Sequence, residues 1–143
     1  MARRKIVLKG DPIVNEDDVA LEAITPGHLL MIVPTGVQKN TDDAANVAAA
    51  FALERDEMGK DIDVAYAIGD VVKVATFKPG EHVYAFLASG VNVAKGDYLT
   101  GTTDGLLTNG SVAAGIRLAR ALEAVNTTAL APVAGTRIRV EIV

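Results

Sequence analysis

Four times in this 143-residue chain a glycine and a polar residue stand directly before an apolar run. The four stretches are Pro26-Gly27-His28-Leu29, Ile68-Gly69-Asp70-Val71, Pro79-Gly80-Glu81-His82-Val83 and Lys95-Gly96-Asp97-Tyr98-Leu99. Glycine reaches positive φ at little cost, and an aspartate can hydrogen-bond the backbone of its own turn. Such punctuation starts strands. It leaves room only for short extended segments, and short strands between glycine turns predict a small, mainly β, single-domain β-barrel or β-sandwich. The spacing is too irregular for a repeat array.

The segments between these turns agree. Val71 to Phe77 places Val72, Val74 and Thr76 on one face, and Val71, Lys73, Ala75 and Phe77 on the other. Lys78-Pro79-Gly80 reads as a hairpin-type turn. Val83, Ala85 and Leu87 then alternate with His82, Tyr84 and Phe86. At the C-terminal end Ile138, Val140 and Ile142 alternate with Arg137, Arg139 and Glu141, which predicts one buried and one wet face. Asp104-Gly105 and Asn109-Gly110 mark turns, with a hairpin tip expected within Gly101 to Gly110. Val19 to Ile24 reads as a further strand. His28 to Val33 is nearly all apolar and predicts burial on both faces, in a sandwich or at an interface.

Two segments are ambiguous. Asp42-Asp43 and the alanine-rich run behind it favour one short helix within 42–50, capped by Thr41 or Asp42. A strand is expected over 51–55. In Val112 to Val125, Leu118, Leu122 and Val125 suit a helix, while Ile116, Leu118 and Leu122 suit a strand.

With 4% aromatic residues and no Trp, the core must be built from Val, Ile, Leu and Ala. The absence of Cys removes disulfides, thiolate metal sites and a cysteine nucleophile. No apolar run is long enough to span a membrane. Met1 to Lys5 is basic, but the apolar stretch behind it breaks at Lys9-Gly10-Asp11, so no signal peptide is expected and synthesis in the cytosol is.

The charge is unevenly spread. Arg3, Arg4, Lys5 and Lys9 occupy a leader without acids, whereas the remaining chain carries ten basic and eighteen acidic residues. A net charge of −4 speaks against direct nucleic-acid binding. Residues 1–9 read either as a solvated terminus or as an arm that orders on an acidic partner; residues 10–143 form the β-domain.

No catalytic pattern is found. His28 and His82 lie apart from each other and from clustered carboxylates, so surface or strand-end positions are expected and no metal site. Gly-x-Ser-x-Gly, Gly-x-Gly-x-x-Gly and P-loop motifs are missing. Glu54, Asp56, Glu57, Asp61 and Asp63 lack the spacing of a calcium loop and read as a solvated stretch. Neither a catalytic residue nor a cofactor is expected.

Taken in order, Ile24-Thr25-Pro26-Gly27-His28-Leu29, Phe51-Ala52-Leu53-Glu54-Arg55, Gly69 to Val74, Gly90 to Leu99, Ala119 to Val125 and Arg137 to Ile142 resemble the capsid decoration (cement, head-stabilising) proteins of tailed bacteriophages. The resemblance spans nearly the whole chain. It implies a compact β-rich homotrimer on the outer surface of the virion, bound to the major capsid protein at threefold and quasi-threefold positions of the expanded head. It implies a strand at Ala121-Leu122-Glu123 and carries over no catalytic residue. In such a protein Arg3, Arg4, Lys5 and Lys9 would form the capsid-binding arm. Leu29, Leu30, Ile32 and Val33 would be covered by neighbouring subunits. Two other readings of the residues stand beside it: a non-catalytic binding module for a receptor or carbohydrate in another assembly, and a small β-barrel enzyme whose site forms between subunits.

Overall fold

The computed structural model describes residues 5–41, 48–109, 117–128 and 136–143. Its strands in chain order are β1 (Val7–Lys9), β2 (Ile13–Asn15), β3 (Leu30–Val33), β4 (Gly36–Lys39), β5 (Ala50–Ala52), β6 (Val74–Thr76), β7 (His82–Phe86), β8 (Asn92–Val93), β9 (Tyr98–Gly101), β10 (Leu107–Thr108), β11 (Ala119–Ala121), β12 (Val125–Asn126) and β13 (Arg137–Ile142). Two single turns of 3₁₀-helix, Asp56–Met58 and Thr103–Gly105, are the helical content of the described residues. The mainly β expectation holds. A sheet of six strands runs β1-β7-β13-β11-β9-β10, a three-stranded sheet runs β2-β6-β5, and β3-β4 and β8-β12 form two-stranded ribbons. All pairings between these strands are antiparallel, and among the described residues no sheet closes into a barrel.

The layering explains the apolar runs. One core cluster joins the inner face of the six-stranded sheet (Val83, Ala85, Leu99, Ala119, Ile138, Val140) to Leu29, Phe51, Ala75 and Phe77. A second joins Ala20, Ile24, Leu30, Val37, Ala50, Ala52, Tyr66, Val72 and Val74. The inner strands β5 and β6 therefore lie between two cores. Phe51 and Ala75 face the first, while Ala50, Ala52 and Val74 face the second. The two faces expected for Val71 to Phe77 are the ones observed, and burial on both sides requires apolar residues at consecutive positions.

The four glycine-marked turns share one construction. At Thr25–His28, Ala67–Asp70, Lys78–Glu81 and Ala94–Asp97 the third residue is glycine with φ between 90° and 101°. In each, the backbone N–H of the last residue donates to the carbonyl of the first, at 3.0–3.1 Å. The side chain of the last residue then accepts the N–H of the first: Nδ1 of His28 at 3.0 Å, Oδ2 of Asp70 at 2.9 Å, Oε1 of Glu81 at 2.7 Å and Oδ2 of Asp97 at 2.9 Å. Positive φ at the third position is the type II geometry that glycine favours, and two of the turns place proline at the second, where its fixed φ suits. Replacing Asp97 by Ala keeps the turn backbone and removes the closing acceptor. The expected loss is about 1 kcal/mol, read as a lower urea midpoint at unchanged m-value.

Several expectations change. Lys78-Pro79-Gly80 does not close a hairpin, because β6 and β7 belong to different sheets. The Gly80 N–H binds the Ile142 carbonyl at 2.8 Å, so the turn hands the chain from the middle sheet to the large one. Val19 to Ile24 makes only isolated bridges, Val19 to Val71, Ala20 to Val37 and Ile24 to Tyr66. The strand expected over 51–55 is Ala50–Ala52, because the buried Glu54 carboxylate leaves the ladder to accept the Ile6 N–H at 3.2 Å. Glu54 is thus no part of a solvated stretch. The strand implied at 121–123 is Ala119–Ala121, after which Leu122 and Glu123 bend; Glu123 accepts the Arg139 N–H. The hairpin expected in Gly101 to Gly110 is β9–β10. Residues 42–47 of the expected helix and residues 112–116 of the ambiguous run lie outside the described residues, and Ala50 of the helical window opens β5.

Candidate docking surface

The middle sheet ends unevenly. β6 is paired on both sides and β5 is fully buried, whereas β2 is the outer strand and every one of its residues is exposed. Ile13 is 68% exposed and Val14, on the opposite face of the strand, 44%. From β2 the chain continues beside residues 69–74. The Val72 N–H donates to the Asp18 carbonyl, Val19 bridges to Val71, and the Ala20 N–H donates to the Asp70 carbonyl.

At the end of this ribbon opens a groove of about 220 Å³. Its apolar walls are Met58, Val64, Ala65, Tyr66 and Val71, and Arg55, Lys60 and Asp70 supply charge. Met58, Val64 and Val71 are exposed, as is Ile68 in the neighbouring turn. The walls are held from within. The Tyr66 hydroxyl donates to the Leu53 carbonyl at 2.7 Å, and burial pushes its pKa above the ordinary value. The Arg55 guanidinium donates to the Val71 carbonyl at 2.6 Å and reaches Glu16 at 3.0 Å and Glu57 at 3.2 Å. It therefore ties three segments together across the rim. Lys73 adds a bond to Glu57 at 3.0 Å.

Apolar side chains beside a strand edge suit this surface to binding. Among the described residues no three histidine or carboxylate side chains are placed to share a metal ion. The acids considered as a calcium stretch are engaged one by one: Asp56 with Lys5, Glu57 with Arg55 and Lys73, Asp63 with Arg137 at 3.0 Å. Asp61 accepts the N–H of Asp63.

The residues singled out in the sequence are distributed differently. Arg3 and Arg4 lie outside the described residues. The Lys5 ammonium meets Asp56 at 3.0 Å; the lysine pKa is raised and the aspartate pKa lowered, chiefly through that hydrogen bond. Ile6 is fully buried, and Val7–Lys9 pairs with β7, with Lys9 exposed. Within residues 1–9 the chain is therefore integrated into the sheet from Ile6 onward. Leu29 and Leu30 are enclosed by the chain's own two cores, Val33 is half-buried, and Ile32 is 55% exposed. His82 is half-buried as the first residue of β7, whereas His28, in the turn just before β3, is buried against Phe86 rather than at the surface. Sequence reasoning misses Ile13, Val14, Met58, Val64 and Ile68 as surface residues. Their signal in the sequence is weak, since an exposed apolar residue in a short segment reads the same as a core one.

No family model matches the chain, and no curated protein matches it.

Proposed function

We propose that this chain is a capsid decoration protein of a tailed bacteriophage, a homotrimer bound outside the expanded head on the major capsid protein. The observation that carries the reading is the exposed apolar surface along β2 and the groove, from Ile13 and Val14 through Val19 and Val71 to Met58 and Val64. Exposed apolar side chains gathered in one region of a fold mark sites of association. The resemblance in the turn and strand segments supplies the kind of assembly. The action is mechanical: a ligand that binds only the assembled shell adds its binding free energy to that state, which opposes the pressure of packed DNA.

The test is co-sedimentation with expanded, undecorated capsids at micromolar protein, with the free mass measured in parallel. Pelleting with the capsids and a free mass three times that of the chain are expected. Protein left in the supernatant would reject the role. Because Ile6 to Lys9 is part of the sheet, the arm is tested by removing residues 1–4 alone. Capsid affinity should fall several-fold while the melting temperature stays within about 2 °C, since the first few residues of a domain are where removal is best tolerated. An unchanged affinity would remove the arm from the mechanism.

A further inference from the structure

The outer edge of β2 carries two features that belong together. Among the described residues it is an unpaired strand edge with apolar side chains exposed on both faces, Ile13 and Val14. Along the chain its flanks are acidic: between Lys9 and Lys39 there is no Lys or Arg, but there are Asp11, Glu16, Asp17, Asp18 and Glu22. Glu16 is held by Arg55 and Glu22 by Lys39, whereas among the described residues Asp11, Asp17 and Asp18 form no ion pair. Asn15 Oδ1 accepts the Asp17 N–H at 3.0 Å, which fixes the turn that carries Asp17 and Asp18.

We infer that β2 and the turn after it, 13–17, form a strand-addition site for an extended, lysine- or arginine-bearing segment of a partner protein. Backbone pairing supplies affinity in this mode, and the alternate side chains of the added strand supply specificity. The free N–H and C=O groups of an edge accept any strand, so charge decides which one is admitted. An acidic edge repels an acidic strand, including a second copy of this same edge, and attracts a basic one. The site ends before Val19, whose carbonyl already accepts the Val37 N–H at 2.9 Å. The inference goes beyond the capsid role, because it concerns the chemistry of the edge whichever protein supplies the segment.

The probes are two capped hexapeptides, one alternating lysine with valine and the other glutamate with valine. Each is titrated into the full-length protein while its backbone amide resonances are followed. The lysine peptide should bind at least tenfold more tightly than the glutamate peptide. Its shifts should concentrate on residues 13–17, and its affinity should fall several-fold between 50 and 300 mM salt. In the Asp17→Lys, Asp18→Lys double variant the preference should reverse. Equal affinity for the two peptides, shifts centred away from 13–17, or an unchanged preference in the variant would each overturn the inference. If the variant does not fold, the peptide preference and shift map of the unaltered protein still decide. Capsids are absent from this titration, so its failure leaves the sedimentation result standing, and the reverse.

Discussion

Replacing Arg137 by Met should destabilise the protein by about 3 kcal/mol, lowering its melting temperature by about 10 °C. The Arg137 side chain is only 8% exposed. Its Nη2 donates to the carbonyls of Pro26 at 3.1 Å and Ile62 at 2.5 Å, and Nη1 meets Asp63 at 3.0 Å. The guanidinium carbon also lies 4.4 Å from the Phe86 ring centre. Met fills much of the same volume but leaves two carbonyls without a donor. An unmet buried polar group costs about 1–3 kcal/mol, so two of them and the lost cation–π contact set the size of the effect. The exposed Asp63 contributes little to it. Urea unfolding of the two proteins checks this. A loss under about 1 kcal/mol would mean that water replaces the guanidinium at both carbonyls.

A second large effect is expected with pH. His28 closes the first glycine turn through Nδ1, which accepts the Thr25 N–H, and its ring lies 4.6 Å from that of Phe86. Burial, seconded by the nearby positive charges of Lys39 and Arg137, lowers its pKa from 6.5 to about 4, with Asp104 acting weakly the other way. Above pH 6.5 both the folded and unfolded chains hold a neutral imidazole, and the full stability is present. As the pH falls from 6.5 to 4, the unfolded chain takes up a proton that the folded one refuses, so stability drops. The loss reaches about 3 kcal/mol near pH 4, because each tenfold difference in proton affinity between the two states is worth about 1.4 kcal/mol. Protonation at Nδ1 would also put a second N–H against that of Thr25. Carboxylates titrate in the same range, so the contribution is isolated by comparison with His28→Asn. The asparagine Oδ1 can accept the Thr25 N–H as Asp70 and Asp97 do in the sister turns. The stability difference between the two proteins should change by about 3 kcal/mol between pH 7 and pH 4, in favour of the variant at low pH. Parallel stability curves would show that His28 takes up its proton in the folded chain as readily as in the unfolded one.

Both residues show where reading the chain alone falls short. The alternation of Arg137, Arg139 and Glu141 with Ile138, Val140 and Ile142 is observed as expected: the second set is buried in the first core. Yet Arg137 is not on a wet face, because segments 26–27 and 61–63, distant in sequence, cover that end of the sheet. Period-two patterning reports which residues share a face. It does not report what lies across from that face. The same limit applies to Leu29 and Leu30, where an apolar run fits a subunit interface and a double core equally well, and the chain's own folding encloses both.

The docking surface was less legible still. Ile13, Val14, Met58, Val64, Ile68 and Val71 are scattered over nearly sixty positions, and no periodicity links them. They meet because residues 13–20 run beside 69–76, a pairing of distant segments that local pattern does not encode.

What the amino-acid sequence determined by itself was local: the positions of the four glycine turns, the strands β7, β9 and β13, and which side of β6 each residue faces. These depend on φ preferences, a side chain reaching its own turn, and the two-residue period of an extended backbone, all of which act within a few residues. The tertiary structure alone decided that β6 and β7 part into different sheets, that His28 and the Arg137 side chain are covered, and that β2 is the outer strand among the described residues. Those outcomes turn on which distant segments come to lie against one another, and that is settled by the packing of two cores rather than by any one stretch of chain.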